Sequence, residues 1–319
     1  MHKVLDQIGL LGIVPVIAIE DANDAEPLAQ ALIDGGLPCA EVTFRTAAAK
    51  DAISRIAKKF PDMALGAGTV LTVDQAKAAV DCGAKYIIAP GLNPKTVEYC
   101  VKNNIPVTPG VATPSEVEQA LDFGLDVVKF FPAEQAGGVA FLRALSAPYK
   151  QLKFIPTGGI DEKNLLSYLS LPSVLACGGS WMVKTEMISN KQFDDIKSIT
   201  TQAVRTMLGF QLRHVGFNME TADEADTVSK ELSALMGVPV KEGGNSNFVG
   251  LQFEVMKQRY LGAHGHLAIG TNFIDRAVAY MERSGYAIRN ETRNVKNGKL
   301  AAVYIEKEIG GFALHLLQI

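Results

Sequence analysis

From Ile13 to about Gly179 the chain alternates short, β-rich apolar runs with amphipathic stretches, and this alternation limits the fold more than any other feature. The runs are IVPVIAI, CAEVTF, ALGAGT, YIIAP, PVTPG, DVVKFF, KFIPTGG and SVLACGG. Between them lie segments such as AEPLAQALIDGG, KDAISRIAKKF, VDQAKAAVDCG and SEVEQALDFG, whose apolar residues recur at helical spacing and several of which close on glycine. A strand and a helix every ~20 to 27 residues is what a parallel sheet with right-handed crossovers needs. Eight such units predict an α/β fold of the (β/α)8 TIM barrel type. A doubly wound open sheet would carry a G-x-G-x-x-G turn after its first strand, and none follows IVPVIAI. The leading HKVLDQIGL reads as a short helix that closes the barrel floor.

A length of 319 residues is long for one domain. The pattern changes after about Leu208, so the expected domains are a barrel over 1–208 and a smaller α+β domain over 209–319. Hydrophobic residues at 48%, charged residues at 20% and a net charge of -3 describe an ordinary globular chain with no polybasic face for nucleic acid. The apolar stretch near the start is too short to span a bilayer and lacks a small-residue cleavage site after it, so no membrane association and a cytoplasmic location are expected. Cys39, Cys82, Cys100 and Cys177 form no C-x-x-C pair and are read as reduced packing thiols.

In a TIM barrel the chemistry sits at the carboxyl ends of the strands. Strand side chains alternate, so Glu41, Thr43 and Arg45 share one face of the second run, as do Val127, Lys129 and Phe131 of the sixth. A lysine within VVKFF is expensive to bury unless it is paired or loses its proton, and an uncharged amine is what a nucleophile requires. The plainer reading is a salt bridge to Glu41 in a packed interior. Glu41 suits a proton shuttle or a counter-ion, and the two roles are compatible. Arg45 offers a planar fork for a carboxylate, or else lies solvated beyond its strand. The seventh and eighth runs end in glycine pairs, so Gly158, Gly159, Gly179 and Ser180 are expected to line an anion pocket, unless these glycines serve turn geometry alone. Trp181 is read as packing.

Taken in order, EVTFRT at 41–46, GAGTVL at 66–71, KFFPAE at 129–134, PTGGI at 156–160 and GGSW at 178–181 resemble the signature segments of the 2-keto-3-deoxy-6-phosphogluconate (KDPG) and 4-hydroxy-2-oxoglutarate (KHG) aldolase family. The resemblance covers about residues 5–208. It implies a class I, metal-free aldolase of Entner–Doudoroff sugar-acid breakdown, assembled as a homotrimer, that splits the phosphorylated 2-keto-4-hydroxy acid KDPG to pyruvate and glyceraldehyde 3-phosphate, and/or KHG to pyruvate and glyoxylate. By the same likeness Lys129 is the Schiff-base lysine and Glu41 the general acid and base. Arg45, Thr69, Phe131 and Thr157 would surround the carboxylate end, and the TGG and GGS turns would hold phosphate. Two departures, Ala112 in PGVATPSE and Ala89 in APG where relatives often carry serine, bear on substrate preference. A rival of another class is a sugar-acid sensor that signals through the appended domain, and another is a phosphosugar isomerase or epimerase on the same fold.

Beyond Leu208, RHVGFNMETADEADTVSKELSALMG and GHLAIGTNFIDRAVAYMERSG resemble one another, with His214 and His266 separated by 52 positions. Each opens a strand and helix that end at Gly237 or Gly285, followed by NFVGLQFEVM in one copy and by KLAAVYIE and GFALHLLQI in the other. Two βαβββ-like units resemble the vicinal-oxygen-chelate superfamily, which includes glyoxalases. That likeness implies a divalent metal on His214, Glu254 and His266, with His315 standing where a glutamate is usual. The alternative is that these histidines cap strands of a metal-free domain.

Overall fold

A computed structural model describes all 319 residues as two compact units, Met1–Met207 and Leu208–Ile319. The first unit holds strands β1 (Ile13–Ile17), β2 (Cys39–Thr43), β3 (Ala64–Gly68), β4 (Tyr86–Ile88), β5 (Val107–Thr108), β6 (Gly110–Val111), β7 (Val127–Phe130), β8 (Lys153–Pro156) and β9 (Cys177–Gly179). They form two parallel sheets in the orders β5-β4-β3-β2-β1-β9 and β6-β7-β8. Successive strands neighbour one another without a switch in direction of winding, which excludes the doubly wound alternative. PVTPG, expected as one strand, is two. Pro109 has no N–H for a ladder, so β5 pairs with β4 and β6 with β7, while the Pro109 carbonyl accepts from Lys129 N at 2.9 Å. On the other side Thr157, just past β8, bridges to Gly178 in β9.

Helices return the chain between strands, and their starts are chemically marked. Thr113 and Glu116 form a reciprocal capping box with Pro114 in the first turn, which fixes where the helix Pro114–Asp122 begins. The helix Lys3–Leu11 buries Val4, Leu5, Ile8 and Leu11. The small residues of β3 are explained by their neighbours. A Cβ on Gly66 would overlap the ring of Tyr86, and one on Gly68 would overlap the carboxylate of Glu41. ALGAG thus makes room inside the sheet for one buried phenol and one buried acid.

The second unit is a single sheet of β10 (Gln211–Asn218), β11 (Val240–Glu242), β12 (Ser246–Val249), β13 (Phe253–Met256), β14 (Gly265–Thr271), β15 (Ile288–Lys296), β16 (Lys299–Ile305) and β17 (Phe312–Gln318). Its order is β11-β12-β13-β10-β14-β17-β16-β15. Each half runs β-α-β-β-β with its first strand beside its fourth, and the halves join through the antiparallel pair β10 and β14. The helix Ala222–Met236 packs Ala225 and Leu232 against Val249, Phe253 and Val255. Strand alternation therefore turns Glu254 to the opposite face. NFVGLQFEVM resolves into β12 and β13 around Gly250, whose φ of +59 suits glycine.

Candidate functional site

In the first unit a cavity of about 320 Å³ opens at the carboxyl ends of the strands. Its wall includes Glu41 from β2, Lys129 from β7, and Thr157, Gly158 and Gly159 following β8. Register explains the central pair. Glu41 lies between Val16 on β1 and Gly66 on β3, while Lys129 lies between Gly110 on β6 and Ile155 on β8. Each charged side chain is flanked by partners that leave it room or pack apolar surface around it. Lys129 Nζ donates to Glu41 Oε1 at 3.2 Å, with Lys129 6% and Glu41 3% exposed. Phe131 sets its ring 5.2 Å from the same ammonium. A buried pair in this geometry satisfies its own charge, and removal of either member typically costs about 3–5 kcal/mol.

The barrel residues expected to act in catalysis or binding line this one cavity, Arg45, Thr69, Phe131 and Ser180 joining the pair and the glycine turns, whereas Ala89 and Ala112, expected to bear on substrate preference, are not in its lining. Arg45 is exposed and has no ion-pair partner, which leaves its fork available to an anion. Thr69 holds φ +57, a left-handed conformation that costs a non-glycine residue roughly 1–2 kcal/mol. Gly158 and Gly159 also take positive φ, +102 and +78, and expose their backbone toward the cavity. Gly179 serves a purpose not foreseen as well, since a Cβ there would overlap the ring of Trp181. Sequence reasoning missed Val16, Pro90 and Ile160 in the lining. Pro90 was signalled by its place just beyond β4, the other two only by strand alternation and chain proximity.

Two neighbours set the local polarity. Tyr86, wholly buried beside Glu41, donates to the Ala40 carbonyl at 3.2 Å, and burial followed by the charges of Cys39 and Glu41 pushes its phenol well up. Tyr168 bonds Glu134, whose Cγ a Cβ on Gly159 would approach to 2.6 Å. Glu134 N also donates to the Gly158 carbonyl at 3.0 Å, so the TGG turn is held from behind.

The family model "KDPG and KHG aldolase" matches residues 4–199, well over half of the chain. The chain belongs to that family. The 2-dehydro-3-deoxy-phosphogluconate aldolase of Treponema pallidum is 46% identical over 205 residues, which is 64% of this chain and 98% of that protein. The KHG/KDPG aldolase of Escherichia coli K12 is 43% identical, covering 60% of this chain and 90% of its own length. Among solved structures, the KDPG aldolase of Legionella pneumophila, with pyruvate captured at low pH as a covalent carbinolamine, aligns with TM-score 0.61 and 41% identity over 62% of this chain and 97% of that one. The Zymomonas mobilis enzyme with 3-phosphoglycerate aligns with TM-score 0.58 and 38% identity over 63% and 94%. The first unit thus has the α/β fold of these aldolases.

Outside the part matched by the aldolase family model, the second unit gathers the other residues singled out from sequence. His214 on β10, His266 on β14 and His315 on β17 offer ring nitrogens within 4.8 Å of one another, and all three are buried. Glu254 Oε2 lies 3.1 Å from both His214 Nε2 and His266 Nε2, and these two nitrogens are 3.1 Å apart. His266 opens β14 as expected, but His214 sits inside β10, which starts at Gln211, so it caps nothing. Gly216 makes space here, because a Cβ on it would overlap the His266 ring. Ser246 Oγ donates to Glu254 Oε1 at 2.6 Å, and Tyr304 stacks on His315 with ring centroids 4.8 Å apart. Burial, reinforced by His266 and His214, pushes His315 down to about 3, which keeps it neutral near pH 7. Burial alone would raise Glu254, yet hydrogen bonds with His214, His266 and Ser246 hold it far below the usual carboxylate range.

Does this donor set fit a divalent ion? Ligand atoms about 2.0–2.1 Å from a tetrahedral ion lie about 3.3 Å from each other, close to the 3.1 Å edges of the His214–His266–Glu254 triangle. His315 Nε2 is buried with no hydrogen-bond partner, an arrangement costly for a purely structural polar cluster. The residues fit.

Proposed function

We propose that the first unit is a class I aldolase, an aldehyde-lyase that cleaves KDPG to pyruvate and glyceraldehyde 3-phosphate, KHG to pyruvate and glyoxylate, or both. The observation that carries this reading is the buried Lys129–Glu41 pair, 3.2 Å apart at the cavity wall of a chain in this family. Condensation needs the amine uncharged, and Glu41 is placed to take the proton that Lys129 gives up. The free amine adds to the C2 ketone, Glu41 passes its proton to the carbinolamine hydroxyl, and departure of that hydroxyl as water leaves an iminium and an ionised Glu41. Glu41, directly or through a water, then removes the C4 hydroxyl proton. The C3–C4 bond breaks, its electrons pass into the iminium, and the aldehyde departs. The enamine left behind takes a proton at C3, and hydrolysis releases pyruvate and restores Lys129. Arg45 and Thr69, with Phe131 and Thr157, hold the carboxylate end, while Gly158, Gly159, Gly179 and Ser180 receive a phosphate. No step asks for a metal.

The same reading treats the two parallel sheets as one closed (β/α)8 barrel ending near residue 208, followed by a vicinal-oxygen-chelate-like domain over 209–319, in a cytoplasmic homotrimer. In that second domain His214, Glu254, His266 and His315 would hold a divalent ion, which when bound supplies Lewis acidity to an oxygen ligand. Pyruvate release from KDPG and KHG tests the activity. Turnover that disappears in Lys129→Ala supports it. Binding of either acid without pyruvate release would favour the sensor reading instead.

A further inference from the structure

The two halves of the second unit correspond strand by strand, and their registers identify matching positions. Gly216, two places beyond His214 on β10, pairs with Glu254 on β13. Ala268, two places beyond His266 on β14, pairs with His315 on β17. His315 therefore occupies in its half the position that Glu254 occupies in the other. A cluster that could have been two imidazoles and two carboxylates is three imidazoles and one carboxylate. Ser246 Oγ takes up Glu254 Oε1, so Oε2 is the single oxygen facing the ring nitrogens.

Resting on the proposed reading that this cluster holds a divalent ion, we infer that it is built for a borderline ion of the Zn²⁺, Co²⁺, Ni²⁺ class and discriminates against Mg²⁺, Ca²⁺ and Mn²⁺. Ca²⁺ takes six to eight oxygens and Mg²⁺ keeps near-octahedral oxygen ligands with several waters, whereas imidazole suits the later first-row ions. Three buried nitrogens and one oxygen cannot replace the shell that a hard cation gives up. The site also carries one negative charge instead of the two that a pair of carboxylates would give, which weakens the attraction a hard cation depends on. His315 is thus the residue that sets the choice of ion, and Gly216 admits the His266 ring that completes the nitrogen set.

The test uses the full chain, free of any histidine tag, stripped with chelator and dialysed. Co²⁺ is titrated in while the visible d–d absorption is followed, and Zn²⁺, Mn²⁺, Mg²⁺ and Ca²⁺ then compete. One Co²⁺ per chain is expected, displaced by stoichiometric Zn²⁺ and unmoved by about a 100-fold excess of Mg²⁺ or Ca²⁺. In His315→Glu the Co²⁺-over-Mn²⁺ preference should fall at least about tenfold. Should that variant fail to fold by circular dichroism, the wild-type competition alone decides. A bound ion that Mg²⁺ or Mn²⁺ displaces as readily as Zn²⁺ overturns the inference and leaves the metal reading standing. A folded chain that takes up no ion overturns the metal reading itself.

Discussion

Lys129 and Glu41 meet as opposite charges in an apolar wall, whereas the second unit assembles three imidazoles and a carboxylate whose nitrogen and oxygen atoms converge. The first pair is complete on its own, because one group donates what the other accepts. The second cluster is not, because His315 Nε2 has no partner in the protein. A self-compensated pair can lie ready until a ketone enters and then pass a proton back and forth. Imidazoles and a carboxylate gathered in the same degree of burial, with a ring nitrogen left unpaired, would suit a cation from outside. Two polar sites of similar burial in one chain thus answer different chemical needs, and the contrast can be attacked experimentally from both ends.

The largest effect is expected at Lys129. Lys129→Ala removes the nucleophile, and pyruvate release from KDPG or KHG should drop by about 10⁵-fold or more, with the C-terminal cluster's ion uptake unchanged. Glu41→Gln should lower kcat by about 10²–10⁴-fold, the usual range for a lost general acid or base. If Glu41→Gln left kcat intact, the carboxylate would be a counter-ion only. Arg45→Ala should raise KM by about 10–100-fold with a smaller change in kcat, corresponding to loss of one charge-assisted hydrogen bond to substrate. Gly179→Ala forces a Cβ onto the Trp181 ring, and an overpacking cost of about 1–3 kcal/mol should lower the melting temperature of the first unit by several degrees in calorimetry. The smallest effect is none at all. Exhaustive chelation should leave pyruvate release unchanged while it abolishes the Co²⁺ spectrum of the second unit, and a chelation-sensitive aldolase would erase the distinction between the two sites.

The contrast also explains what could be read from the sequence. Strands buried on both faces must be short apolar runs, so the alternation from β1 to β9 was legible, and one lysine inside VVKFF stood out against it. The lining of the cavity by Arg45, Thr69, Thr157 and Gly158 follows from where strands end. Gly179 illustrates the limit. As half of a glycine pair it reads like a backbone anion site, and only the folded position of the Trp181 ring discloses its packing duty. The interruption at Pro109 was hidden for a related reason, since a proline can sit in a strand wherever its N–H is not needed, and pairing decides that.

The second unit was less legible because the strands at the two edges of its sheet are largely exposed. β15, IRNETRNVK, is largely exposed and carries no alternation strong enough to announce a strand. The histidine cluster was nameable from the repeat, but its depth was not. Burial of His214 and His315 depends on neighbours such as Phe248 and Tyr304, which pack against them across strand boundaries.

The central claim, that the Lys129 amine condenses with a ketone, is tested most directly by borohydride reduction in the presence of pyruvate, followed by peptide mass spectrometry. One reduced pyruvyl adduct on Lys129, missing in Lys129→Ala and retained in Glu41→Gln, is the result expected. An unmodified chain, or an adduct that persists on another lysine when Lys129 is replaced, would contradict it.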